Sequence, residues 1–96
     1  MINTKLSGYL NIARKANALV IGADNLDVYR KKLYLILVAS TAGKSTQSIV
    51  NKVVKNTSCE KIETSLNLSE ILCISNCQVV AIKNKGLAEK IKENIE

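Results

Sequence analysis

Proline, histidine, phenylalanine and tryptophan are all absent from this 96-residue chain, and its aromatic residues reduce to Tyr9, Tyr29 and Tyr34. Without an imidazole, a Ser or Cys nucleophile lacks its usual base and a zinc site lacks its commonest nitrogen ligand. So few aromatics argue against modules that bind single strands by stacking bases, and they require an aliphatic core. Cysteine is scarce and odd in number: Cys59, Cys73 and Cys77. That count disfavours a disulfide framework or a metal centre. A Cys73–Cys77 bridge needs an oxidising setting, and the expectation is three buried or half-buried thiols acting as small hydrophobes. No run approaches the roughly 20 apolar residues that span a bilayer. The stretch from Met1 to Lys15 has a polar, helical pattern rather than that of an apolar leader. The expectations are a cytoplasmic location with no membrane, metal or cofactor.

Aliphatic residues are what the chain does have. Hydrophobic residues make up 47% of it, enough to offset chain entropy in one domain with one core. Fourteen Lys and Arg against eight Asp and Glu give a net charge of +6. Such a balance steers a protein toward polyanions, or it serves as a solvated surface for solubility.

Helical and strand periods alternate along the chain. Leu6, Tyr9, Leu10, Ala13 and Ala16 predict a helix over Thr4 to Ala16 with Asn3 as its cap. Leu19 to Ile21 reads as a strand closed by a turn at Gly22. Asp24 to Lys32 reads as a short helix with carboxylates first and cations last, as the helix dipole favours. The run Leu33 to Ala39 predicts a central strand buried on both faces. Lys44 to Asn56 carries Ile49, Val50, Val53 and Val54 on one side of a third helix. Cys59 to Glu63 is a strand, Asn67 caps a helix through Cys73 with Glu70 three residues on, and Cys77 to Ile82 is a fourth strand. Leu87, Ile91 and Ile95 recur at four-residue spacing after Gly86, which predicts a closing helix. The order α-β-α-β-α-β-α-β-α implies an α/β fold, a three-layer α/β/α sandwich on a four-stranded mixed sheet.

Ala42-Gly43-Lys44-Ser45-Thr46 contains the GK[ST] end of a phosphate-binding loop. That loop requires a glycine five residues before Gly43, where this chain has Val38, and no later strand ends in the Asp that would hold magnesium. Nucleotide hydrolysis is therefore not expected, and the chain reads as a non-enzyme. Lys44 at a helix start remains suited to a phosphate of any source.

Three segments together resemble the kink-turn-binding ribosomal protein family of the L-seven-Ae type, in its short bacterial branch. Leu10 to Gly22, LNIARKANALVIG, is similar to that family's opening "LGLARRAGKLVxG". Leu35 to Ala39 followed by Thr46 is similar to its central strand and loop, and Val79 to Ala88, VVAIKNKGLA, to its "VVAIKDKGFA". The resemblance implies the fold already reached and, beyond it, a structured RNA partner, with ribosomal RNA the expected class. Relatives that bind kink-turns use Gly-x-Asn-Glu at the start of the second helix, beside sheared G·A pairs. The matching residues are Gly22, Ala23, Asp24 and Asn25. Asp24 stands for the family's Asn and Asn25 for its Glu, and an ionised Asp24 accepts hydrogen bonds but donates none. Val28 occupies the region where the family carries a Lys. Gly22 fits a turn needing positive φ, and Asn17, where relatives carry Gly, tolerates the left-handed region.

The functional expectation is recognition of structured RNA through Gly22 to Leu26 and the Ser40 to Lys44 loop. Arg14, Lys15, Lys44, Lys83 and Lys85 are expected near the same edge. The rival is a protein-interaction adaptor whose basic surface meets an acidic protein and for which RNA is incidental.

Overall fold

The computed structural model describes residues 4–29, 31–65, 67–74 and 77–94. Its elements are α1 (Thr4–Lys15), β1 (Leu19–Ile21), α2 (Ala23–Val28), β2 (Leu35–Ala39), α3 (Lys44–Thr57), β3 (Glu60–Thr64), α4 (Leu68–Leu72), β4 (Val79–Ile82) and α5 (Lys85–Asn94), the expected alternation. Asn3 and Ile95 lie outside the described residues.

The first helix forms on the stripe Leu6, Leu10 and Ala13, all buried, with Ile12 exposed on another face. It ends at Lys15, so Ala16 is exposed rather than part of the stripe. Asn17 then turns the chain at φ 58, the left-handed conformation that its short polar side chain tolerates.

The sheet order is β1-β4-β2-β3. Strands β2 and β3 are parallel, while β4 lies between β1 and β2 and runs antiparallel to both. Because successive strand residues face opposite sides, the two inner strands feed two cores. Leu35, Leu37, Val80 and Ile82 pack with α1, α4 and α5 through Leu10, Leu72 and Ile91. Ile36, Val38, Val79 and Ala81 pack with α2 and α3 through Leu26, Val50 and Val53. This is the three-layer α/β/α sandwich, and it explains why both central strands read as continuous apolar runs. Edge strand β3 instead exposes Glu60, Lys61 and Glu63, charges that discourage pairing with another chain.

Several boundaries differ from those predicted. Helix α2 stops at Val28, with Tyr29 extended at φ −74, ψ 128. Lys31 and Lys32 therefore lie on the link into β2 and not in a last helical turn. Asp27 pairs with Lys52 of α3, so its role extends beyond the helix dipole. Asn67 caps α4 as the spacing predicts, its Oδ1 accepting from the Glu70 amide at 3.1 Å. Cys73 is exposed at the C-terminal cap of that helix, contrary to the expectation of a half-buried thiol, because its φ of 55 carries it out of the apolar face. No helix among the described residues is long and apolar enough to cross a membrane.

Candidate functional site

Strand direction decides which segments meet. Strands β1, β2 and β3 all finish at the end of the sheet where β4 begins, so Gly22, Ser40, Ser65 and Gln78 emerge side by side there. Gly22 makes that turn possible. Its φ of 90 and ψ of 149 lie in a region essentially restricted to glycine. Its amide donates to the Val79 carbonyl at 3.0 Å and its own carbonyl accepts from the Leu26 amide at 3.1 Å. The turn is thus tied to β4 on one side and to α2 on the other.

A cleft of about 340 Å³ opens beside this turn, lined by Gly22, Ala23, Asp24 and Asn25, by Ser45, Thr46 and Ile49 of α3, and by Gln78 and Val79. A second cleft of about 500 Å³ lies beyond Gln78, between Ser40, Thr41, Ser65, Asn67 and Ser69. Gln78 lines both, which makes this end of the sheet one surface of hydroxyls and amides. The Asn25 amide nitrogen donates one hydrogen to the Ile21 carbonyl at 2.7 Å, which leaves its Oδ1 as an acceptor and its second N–H as a donor. Its neighbour Asp24 is an exposed acceptor. Donors come from across the cleft, from the hydroxyls of Ser45 and Thr46 and the amide of Gln78. Lys44 is exposed at the start of α3, whose backbone N–H groups open toward the same end.

The α3 start lacks the first glycine of a nucleotide loop. Val38, where such a loop needs glycine, is buried in β2 and paired with Val79 and Glu63. Gly43 caps the helix in an extended conformation, φ −71 and ψ 170, and Gln47 donates to the Ala42 carbonyl at 2.8 Å to fix the turn. Cys77 borders the second cleft but is itself buried, with its thiol set 3.8 Å from the Val79 carbonyl. Burial raises its pKa above the ordinary 9.0, against the smaller lowering effect of that hydrogen bond, so the group stays a neutral thiol. Among the described residues, no group of three or more His, Cys, Asp or Glu could hold a metal ion.

The sequence-predicted residues divide three ways. Gly22, Ala23, Asp24 and Asn25 line the cleft, and Lys44 lies outside its lining, next in sequence to Ser45, which does line it. Leu26 does not belong there: it is fully buried against α3 and is a core residue, because the helical repeat turns it inward as Asp24 and Asn25 turn outward. Lys83 and Lys85 are not at this edge either. They follow β4, and because β4 runs antiparallel to β1 and β2 the chain leaves it at the opposite end of the sheet. That end is displaced by four strand residues, about 13 Å. Lys15 lies at that far end too, where α1 turns into β1. Arg14 faces α4, donating to the Leu72 carbonyl. The residue that the sequence did not reveal is Gln78. Its only sequence signal is a polar position just before an apolar strand.

No family model and no curated protein matches the chain. Among solved structures, it is similar to one described as a protein with unknown function from Bacillus halodurans C. That likeness has a TM-score of 0.80 at 19% identity and covers 96% of each chain. It establishes the fold and carries no activity.

Proposed function

We propose that the chain is a non-enzymatic RNA-binding protein that recognises a structured RNA of the kink-turn kind, with ribosomal RNA as the class of target and the cytoplasm as its location. The observation that carries this reading is the cleft that places the Gly22–Asn25 turn opposite Ser45, Thr46 and Gln78. A kink-turn presents sheared G·A pairs, whose base edges ask for both a donor and an acceptor. With its amide nitrogen held by Ile21, Asn25 offers an acceptor in the place of the family's Glu. The donor that the family takes from Asn cannot come from an ionised Asp24, and Ser45, Thr46 and Gln78 supply donors from the facing wall. The net charge of +6 adds sequence-independent attraction to phosphate.

The test is titration of a fluorescent kink-turn stem against the same stem with its G·A pairs changed to Watson–Crick pairs. Wild type should prefer the kink-turn. Lys44→Ala combined with Gln78→Ala should weaken that binding about tenfold, two hydrogen bonds being worth roughly 1 to 3 kcal/mol together. Equal affinity for both stems, or an unaltered double variant, would overturn the assignment of the cleft.

A further inference from the structure

The sheet end opposite the cleft gathers cations that are far apart in sequence. Lys15 lies where α1 turns into β1, Lys31 and Lys32 lie on the link from α2 to β2, and Lys83 and Lys85 follow β4. Backbone hydrogen bonds hold these three segments together: the Lys83 amide donates to the Ala18 carbonyl at 2.7 Å and the Tyr34 amide to the Ile82 carbonyl at 3.0 Å. The segments enter or leave the adjacent strands β1, β4 and β2, spaced about 4.8 Å apart. These positions therefore form a row across the end of the sheet.

Two of the three tyrosines stand in this row. The Lys83 ammonium lies 5.8 Å from the Tyr29 ring centre and that of Lys32 lies 5.3 Å from Tyr34. Such contacts hold a flexible lysine in place without neutralising it. The carboxylates nearby among the described residues are Asp27, which lines a pocket with Tyr29 and pairs with Lys52, Glu60, held by Lys92 at 2.7 Å, and Glu89, which shares a shallow pocket with Tyr34 and Lys85. Helix α5 also starts here, and its positive dipole end adds to the field. At the cleft end, Lys44 starts α3 and the carboxylate of Asp24 lines the cleft.

The geometry points to this basic end as a second RNA surface, one that grips the phosphate backbone of a duplex without reading its sequence. It deepens the RNA-binding reading and rests on it. The chain then works as a bridge: the cleft recognises a shaped element and the opposite end clamps a helix beside it. A duplex is the fitting occupant because each strand presents regularly spaced phosphate charges, a continuous array to meet a row of ammonium groups.

The experiment uses the full chain and two probes, a 20-base-pair RNA duplex without any kink and the kink-turn stem. Lys31→Gln, Lys32→Gln, Lys83→Gln and Lys85→Gln are combined in one variant. A second variant, Lys31→Gln with Lys85→Gln, leaves both lysine–tyrosine contacts intact and guards against loss of fold. The quadruple variant should bind the plain duplex at least tenfold more weakly, with the slope of log affinity against log salt reduced by about 3. The double variant should lose about half of that slope change. Wild-type affinity and slope for the duplex in both variants would overturn the inference. It would leave the RNA-binding reading standing if Lys44→Ala with Gln78→Ala still weakens kink-turn binding. Loss of duplex binding with a harmless cleft variant would instead support this surface and sink the cleft. Failure of wild type to bind either RNA, or binding only to vesicles of anionic lipid, overturns both.

Discussion

Replacing Gly22 with Ala tests the turn on which the cleft depends. An added Cβ at this position meets nothing within 4 Å, so the substitution carries no steric term. The cost is conformational. At φ 90 and ψ 149 an L-residue is strained by about 1 to 3 kcal/mol, and the smaller freedom of Ala in the unfolded chain offsets roughly 0.4 to 1 kcal/mol of that. The net destabilisation is centred on about 1.3 kcal/mol and reaches about 2.6 kcal/mol. Should the backbone flip to relieve the strain, the bond from the Gly22 amide to Val79 is lost, at a cost of about 1 kcal/mol, which is no escape. A domain of this size loses about 4 to 8 °C in Tm per kcal/mol. Gly43→Ala is the internal control, since Gly43 also has nothing within 4 Å of a built Cβ but sits at φ −71. Urea unfolding followed at 222 nm should show Gly22→Ala destabilised with an unchanged m-value, and Gly43→Ala within about 0.5 kcal/mol of wild type. If both variants match wild type, positive φ at Gly22 is not what holds the turn.

Other expectations follow from the same architecture. Leu26→Ala should destabilise by about 2 to 5 kcal/mol because the side chain is fully buried; a change under about 1 kcal/mol in urea unfolding would put Leu26 back on the surface. Asp24→Asn with Asn25→Glu should tighten binding to a kink-turn by about 1 to 3 kcal/mol, by supplying a donor and an acceptor for sheared G·A pairs, and calorimetry showing no gain in a folded variant would remove this turn from the proposed recognition site. A thiol reagent should label exposed Cys73 in the native protein and reach buried Cys59 and Cys77 only on unfolding, which peptide mapping would check. Because burial raises the Cys77 pKa above 9.0, the unfolded chain ionises first as pH rises. The stability tied to that neutral thiol is complete below pH 9 and lost above it. Cys77→Ala should then flatten the decline relative to wild type, and parallel pH profiles would contradict the assignment.

The elements and the layers follow from local patterns in the order of residues. Leu6, Leu10 and Ala13 at helical spacing, the unbroken apolar run to Ala39 and Asn67 with Glu70 are local signals, and local backbone energetics act on them directly. Gly22 and Asn17 were legible for the same reason, as residues that accept positive φ where a turn must be made. The order of strands in the sheet was not legible, because the last strand, β4, inserts between β1 and β2 through contacts formed across most of the chain. Only the tertiary structure decided that insertion. It brought Gln78 to the cleft and carried Lys83 and Lys85 to the other end, although in sequence they follow Gln78 by only a few residues. A strand reverses which end of the molecule its flanks occupy when it pairs antiparallel instead of parallel. Apolar periodicity is the same in either direction, so the two-ended surface of this protein is a property of packing alone.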